Sequence, residues 1–321
     1  MKDATGPTSS GDNATGNPHT DINPRGWWRH LPGHLHPYIL LARFDRPIGW
    51  WLLLLPGWWI IPAVATDTGR MAELMLLFLV GAVTTRAAGC VINDLWDRRL
   101  DRRVERTAGR PLAAGTVGIG AALVFLAALG LIGLGVLMRL PGTAILTGIA
   151  ALPLVIFYPL AKRVTWWPQA VLGLTFSWGV PLGWAAAAMQ PAPASPPLAL
   201  LAIYLGSAAW VFGYDTIYAV QDMVDDRTVG VKSSALGLGR HLEAGVSTAY
   251  GLAIVGLGGG FWLLIGPGPW LGGLALMAIH LCWQIRRLRA DDPAGALRLF
   301  KSNRDAGLIL TAGMVLTHLA G

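Results

Sequence analysis

Nine apolar segments, each long enough to cross about 30 Å of hydrocarbon, recur at roughly 47–66, 72–93, 116–138, 142–161, 168–189, 197–220, 243–265, 268–286 and 305–320. Lipid offers the backbone no hydrogen-bond partner, so each run must satisfy its own N–H and C=O groups as a helix. The composition agrees: 54% of the 321 residues are apolar, 13% are charged and the mean hydropathy is +0.50, which excludes an ordinary soluble domain. The expected fold is all-α, a polytopic membrane protein with about nine transmembrane helices. Pro153, Pro181 and the run from Gly256 to Gly260 fit kinks or close packing within such helices. Cys90 and Cys282 both fall in apolar stretches and read as small buried hydrophobes, not as a disulfide.

Residues 1–36 are rich in Gly, Ser, Thr, Asn, Asp, Pro and His and contain no apolar run. They read as a disordered N-terminal tail and not as a signal peptide, with the membrane domain at 37–321. Trp27, Trp28 and the histidines near Pro37 suit an aromatic anchor at the lipid interface.

Loop charges give the orientation. With the N-terminus cytoplasmic, twenty-two Lys and Arg fall on that face and only Arg70 and Arg139 on the other. The positive-inside rule then places the ends of the second, fourth, sixth and eighth spans at the cytoplasmic face. The expected location is a bacterial inner membrane, with the mouth of the site at the cytoplasmic face. The net charge of +7 reports this asymmetry, so membrane lipid is an expected partner and nucleic acid is not. Oligomeric state is not readable from the chain.

Two acidic segments stand out against this background: Asn93-Asp94-Leu95-Trp96-Asp97-Arg98-Arg99-Leu100-Asp101 and Asp222-Met223-Val224-Asp225-Asp226. With Glu105 and Asp215 they hold eight of the eighteen carboxylates. At about 100° per residue, Asn93, Asp97 and Asp101 line one helix face, and Asp222 and Asp226 repeat the spacing. Clustered carboxylates repel one another unless a cation neutralises them, and oxygen donors suit a hard ion such as Mg²⁺ that also bridges phosphate. Both segments follow even-numbered spans, so both lie at one face, where two clusters can meet across a cavity. The plainer alternative is a pair of solvated cytoplasmic loops.

Basic residues follow each segment. Arg106 and Arg110 come after the first and Lys232 after the second, placed to bind a diphosphate and stabilise its charge as it leaves. The fourth span ends Phe157-Tyr158-Pro159-Leu160-Ala161-Lys162-Arg163, where lysine can reach phosphate while the tyrosine ring faces a carbocation. A belt tyrosine with a snorkelling lysine would read the same way. Arg86 lies within the second span, seven residues before Asn93, so it needs a polar cavity. Its partner is either a substrate carboxylate or a motif aspartate. Arg43 and Arg46, at the mouth of the first span, suit phosphate binding or interfacial anchoring.

Taken together, Asn93-Asp94-x-x-Asp97-x-x-x-Asp101, Arg106-Thr107-x-x-Arg110-Pro111 and Tyr214-Asp215-Thr216-x-Tyr218-Ala219-x-x-Asp222-x-x-Asp225-Asp226-x-x-x-Gly230-x-Lys232-Ser233 resemble the UbiA superfamily of intramembrane prenyltransferases. The resemblance runs from about Arg43 to the C-terminus. Asp45-Arg46-Pro47-Ile48-Gly49, Tyr158 to Arg163, Pro168-Gln169 and Asn303-x-x-x-Gly307 are similar to the branch that prenylates 4-hydroxybenzoate in ubiquinone synthesis. Arg46 stands where lysine is common, and Met223-Val224 replaces more polar residues.

The resemblance implies helices around a central cavity that holds Mg²⁺ and a polyprenyl diphosphate, with 4-hydroxybenzoate as acceptor. It further implies Asn93, Asp97, Asp101, Asp222 and Asp226 as metal residues. Arg106 and Lys162 would be diphosphate ligands, and Arg86 and Tyr158 cavity residues near the aromatic acceptor and the cation. The residues themselves add Arg163, Arg43, Arg46 and Lys232 as candidates for the phosphate, and Asp215 and Asp222 as candidates for orienting the phenol. Homogentisate, a naphthoate, a haem or a chlorophyllide are the alternative acceptors. A cation transporter would also bury acids in membrane helices, but it has no use for clusters at one face ringed with arginine.

Overall fold

The computed structural model describes residues 26–103, 105–188, 197–223 and 232–321, with the side chains of residues 105, 106, 159, 160, 162 and 163 outside that description. All regular structure among the described residues is helical. The chain divides into two compact units, one comprising Met1–Arg46 and Gly89–Leu126, the other Pro47–Ala88 and Ala127–Gly321.

The first unit is built from short pieces. Trp27–His30 and Gly33–Leu35 form 3-10 turns within the segment expected to be a tail, and α1 covers His36–Leu41. Trp28 is buried, its ring edge-on to His36 at 4.8 Å, whereas Trp27 faces outward. The unit takes in the end of α3 (Thr68–Trp96), then α4 (Arg98–Asp101), α5 (Glu105–Ala108) and α6 (Pro111–Ala114), and the start of α7 (Ile119–Leu137). Gly115, left-handed at φ 79°, ends α6 as a glycine cap does.

In the second unit every expected apolar segment is a helix or a broken pair. The first is α2 (Ile48–Val64). The fourth breaks at Ala151 into α8 (Gly142–Ala150) and α9 (Leu152–Val164), the fifth at Ser177 and Trp178 into α10 (Pro168–Phe176) and α11 (Gly179–Ala187). Each break precedes a proline, Pro153 or Pro181, which lacks the N–H that an unbroken helix would use. The broken segments are tied together: Trp178 donates to the Thr147 carbonyl at 2.8 Å and Thr143 to that of Ala185 at 3.1 Å.

Then come α12 (Pro197–Ala219), α13 (Ser234–Leu238), α14 (Leu242–Ile265), α15 (Trp270–Arg287) and α16 (Pro293–Ala320). The last helix starts well before the expected 305. Arg298, Lys301, Arg304 and Asp305 interrupt the apolar run without breaking the helix, and Asp292 caps it by accepting from the Gly295 N–H at 2.8 Å. Among the described residues, five helical stretches are long and apolar enough to cross a bilayer: Thr68–Trp96, Ile119–Leu137, Pro168–Ala187, Pro197–Asp222 and Ser234–Ile265. Leu123, Val124, Leu131 and Ile132 on α7 point outward, as a lipid-facing surface requires. Cys90 is buried as expected, but Cys282 is exposed, on the outer side of α15.

The core lies between α12 and α14. A Cβ on Gly206 would stand 2.7 Å from the Leu257 nitrogen, and one on Gly256 would stand 2.8 Å from the Gly206 Cα, so only glycine permits this approach. Beside it sits a buried polar hub. Asn303 Oδ1 accepts from Trp210 Nε1 at 3.0 Å, and Asn303 Nδ2 donates to Gln284 Oε1 at 3.2 Å. Both amides are fully buried, and the hub ties α12 and α14 to α15 and α16.

Candidate active site

In the first unit the acidic spacing survives a helix break. Although α3 stops at Trp96, the Asp97 N–H donates to the Asn93 carbonyl at 2.8 Å and the Asp101 N–H to the Asp97 carbonyl at 2.8 Å. Asn93, Asp97 and Asp101 therefore keep a helical register. Their environments differ: Asn93 is exposed, Asp97 half-buried and Asp101 buried.

Asp94, which spacing ranks as a supporting residue, is the acid most deeply built in. At 1% exposure it accepts from Arg43 Nη2 at 2.7 and 3.0 Å, with Arg110 Nη1 at 3.4 Å. Arg110 Nη1 also reaches Asp101 at 3.1 Å, so Arg43, Asp94, Arg110 and Asp101 form an alternating chain of charges. Arg43 adopts φ 59°, a left-handed backbone that costs a non-glycine residue about 1–2 kcal/mol. The bonds from its guanidinium to Asp94 and to the Leu40 carbonyl (2.8 Å) hold that conformation in place. Arg46 rests on the neighbouring Asp45 at 3.2 Å.

Among the described residues, no three of His, Cys, Asp and Glu come together to hold a metal. Asp226 lies outside the described residues. What the first segment does offer is an amide oxygen and a carboxylate, Asn93 and Asp97, one turn apart and not buried. That donor set fits Mg²⁺, which binds through one or two protein oxygens and takes the rest of its shell from phosphate and water.

In the second unit, α12 carries an aromatic ladder. Trp210, Tyr214 and Tyr218 recur every four residues, and the next step of four is Asp222, at the end of the 3-10 turn Val220–Asp222. Trp210 meets Tyr214 edge-on at 4.8 Å, and Phe300 of α16 bridges Tyr214 (5.7 Å) and Tyr218 (4.7 Å). Asp215, Tyr158 and Arg86 all lie close enough to Tyr214 to act on its hydroxyl electrostatically, and all three are half-buried. Three residues expected near the acceptor thus lie within electrostatic range of one residue of α12. Gly49 is part of the same arrangement, because a Cβ there would stand 2.7 Å from Arg86 Nε.

The start of α13 is pinned to its neighbours. The Ser234 N–H donates to Gln169 Oε1 at 2.9 Å, and the Ser234 hydroxyl lies 2.7 Å from that of Thr216, all three residues being buried. Two residues earlier, Lys232 Nζ is 3.4 Å from the Val164 carbonyl and 5.7 Å from the Trp166 ring centre. Lys232 is therefore at the C-terminal end of α9, which also carries Lys162 and Arg163. The side chains of Arg106, Lys162 and Arg163 are outside the described ones.

Sequence spacing gave no role to Tyr214 and only a supporting one to Asp94. For Tyr214 the available signal was its step of four and eight residues before Tyr218 and Asp222. For Asp94 it was a position about 100° off the Asn93 face, toward the protein.

The sequence pattern of the UbiA prenyltransferase family matches residues 47–306. The chain is 44% identical over 302 residues to the mitochondrial 4-hydroxybenzoate polyprenyltransferase of Drosophila pseudoobscura pseudoobscura, covering 94% of this chain and 75% of that one. It is 42% identical to the mitochondrial 4-hydroxybenzoate polyprenyltransferase of Rattus norvegicus, covering 90% of this chain and 76% of that one. Its fold is similar to the apo structure of a UbiA homologue from Aeropyrum pernix K1, with TM-score 0.67, 24% identity and coverage of 84% and 96%. A UbiA homologue from Archaeoglobus fulgidus bound to GPP and Mg²⁺ aligns at TM-score 0.55 and 15% identity, with coverage of 86% and 99%.

These relatives correct one expectation. Their mitochondrial setting points away from a bacterial inner membrane, although an integral membrane location stands. Loop charges rank one face of a membrane against the other and carry no mark of which membrane it is. By the family pattern across residues 47–306 and by 44% identity over 302 residues to a curated relative, this chain belongs to the UbiA prenyltransferase family.

Proposed function

We propose that this chain transfers a polyprenyl group from a polyprenyl diphosphate to the carbon ortho to the hydroxyl of 4-hydroxybenzoate, a step of ubiquinone biosynthesis, with Mg²⁺ as cofactor. The observation that carries this reading is the placement of Arg86, Tyr158 and Asp215 within electrostatic range of α12, whose aromatic ladder of Trp210, Tyr214 and Tyr218 runs to Asp222. One cation, several ring faces and two carboxylates are the groups needed to hold an aromatic acid beside an allylic cation. The names of the relatives at 44% and 42% identity support the same acceptor.

An allylic diphosphate ionises when its leaving charge is neutralised, and Lys232, Arg106, Lys162 and Arg163 are the side chains assigned to that charge. Asn93, Asp97, Asp101, Asp222 and Asp226 are the residues that would hold Mg²⁺, which when bound supplies Lewis-acid neutralisation of the diphosphate. Asp101 joins that set only if it exchanges its bond to Arg110. Arg43 and Arg46 are bonded to Asp94 and Asp45, so either would reach the diphosphate only by exchanging that bond.

The allylic C–O bond breaks and its electron pair leaves with the diphosphate. Tyr158 and the ladder rings face the cation that remains. Arg86 pairs with the acceptor carboxylate, while Asp215 and Asp222 orient the phenol. The ortho carbon then forms the new C–C bond, and its proton passes to a motif carboxylate or to the departing diphosphate.

The test is incubation of membranes containing the protein with labelled 4-hydroxybenzoate and several prenyl diphosphates, with and without Mg²⁺. A labelled lipid formed only with metal is expected. No labelled product with any of the diphosphates would overturn the reading.

A further inference from the structure

Lys232 is held in a different way from the arginines of the first unit. Arg43, Arg46 and Arg110 sit against carboxylates, which cancel their charge. Lys232 Nζ instead lies 5.7 Å from the centre of the Trp166 ring and 3.4 Å from the carbonyl oxygen of Val164, the last residue of α9. A ring face attracts a cation through its quadrupole, and the last carbonyls of a helix attract it through their partial negative charge. Neither carries a net charge, so together they fix an ammonium in place and leave its charge to act on an anion. The backbones behind the pair are anchored. Ser234, two residues after Lys232, donates its N–H to Gln169, three residues after Trp166. In the link between α9 and α10 the Trp167 N–H donates to Thr165 Oγ1 at 3.1 Å, and the Trp166 Cβ stands 3.5 Å from where a Cβ on Gly237 of α13 would lie.

We propose that Trp166 is a positioning residue for Lys232, its ring face holding the ammonium at the C-terminal end of α9 for the diphosphate of the prenyl donor. The inference rests on the reading of Lys232 as a diphosphate ligand and adds what orders it. A lysine stem has many rotamers, and a side chain ordered before binding loses less entropy when the anion arrives. Its ammonium has three donors, so it can keep the Val164 carbonyl and still reach a phosphate oxygen. Trp166 is 48% exposed, as a tryptophan resting at the lipid interface would also be. An interfacial anchor needs the bulk of the indole, whereas holding a cation needs the electrons of its face.

The experiment measures the Kd of geranyl diphosphate with Mg²⁺ by calorimetry, on purified protein in detergent, together with the melting temperature. Increasingly fluorinated tryptophan analogues, placed at Trp166 alone, withdraw electrons from the ring face at nearly constant shape. The Kd should rise stepwise with fluorination, by about two- to fivefold across the series, at constant melting temperature. In the Lys232→Ala background, whose own Kd should be raised, the series should be flat. Trp166→Phe should bind more tightly than Trp166→Leu. A Kd independent of fluorination, or the same rise in both backgrounds, overturns the proposal, and the fluorinated series gives that answer even where Trp166→Leu fails to fold. If Lys232→Ala binds geranyl diphosphate as wild type does, the assignment of Lys232 falls and the inference with it. If wild type does not bind geranyl diphosphate at all, the proposed function falls too. If Lys232→Ala binds weakly and only the fluorinated series is flat, the role of Trp166 alone is lost.

Discussion

Arg43 Nη2 stands 2.7 Å from Asp94 Oδ1 across fifty-one residues of sequence, the carboxylate 1% exposed and the guanidinium delivered by a left-handed backbone. This pair separates two kinds of acid within one motif. Asp94 and Asp101 are neutralised by the protein's own arginines, while Asn93 and Asp97 stay open to a ligand.

Asp94→Ala should therefore act on stability. Removing one partner of a buried pair leaves two guanidinium groups short of their acceptor and costs about 3–5 kcal/mol. Thermal melting of the detergent-solubilised variant would check this, and a melting temperature equal to wild type would contradict the assignment.

Asp97→Ala should do the reverse. A half-buried side chain outside the arginine chain alters stability by no more than about 0.5 kcal/mol, yet turnover should fall at least a hundredfold, on the order of other losses of electrostatic stabilisation. Steady-state assays across a Mg²⁺ titration, with a melting curve on the same sample, separate the two effects.

Gly49→Ala tests the placement of Arg86. The added methyl would press on Arg86 Nε, the far part of a flexible side chain, which can move aside. The variant should fold normally but show a weaker acceptor KM, with the KM for prenyl diphosphate unchanged. Equal changes in both would mean that Arg86 does not serve the acceptor.

Asp67, in the turn before α3, accepts the Arg70 N–H at 2.9 Å and the Thr66 hydroxyl at 2.8 Å. The Arg70 N–H, followed by the Thr66 hydroxyl, holds its carboxyl below the usual carboxylate range. A depressed folded value stabilises above the unfolded value of about 3.9 and is lost as pH falls through the folded one. Wild type should melt above Asp67→Ala at pH 7, and the gap should close as the medium is acidified below about pH 4. A gap that widens in acid would reverse the sign and refute the cap.

Much of the fold could be read from the chain, because apolar run length and proline position act locally. The apolar helices and the breaks before Pro153 and Pro181 follow from whether each backbone group finds a partner in its own helix. The early start of α16 at Pro293 was hidden because Arg298, Lys301, Arg304 and Asp305 lower hydropathy without lowering helix propensity. The register of Asn93, Asp97 and Asp101 was legible for the same local reason, and it outlived the end of α3 at Trp96.

By itself, the sequence determined that the chain is helical, lies in a membrane, and gathers carboxylates, arginines and aromatics of the prenyltransferase pattern. Only the tertiary structure decided which acids are already paired, that Asn303 holds Trp210, and that Arg86, Tyr158 and Asp215 lie within electrostatic range of Tyr214. Helical periodicity fixes the direction of a side chain relative to its neighbours on one helix. Whether a buried charge or hydroxyl has a partner depends on residues tens to hundreds of positions away, brought to it by packing.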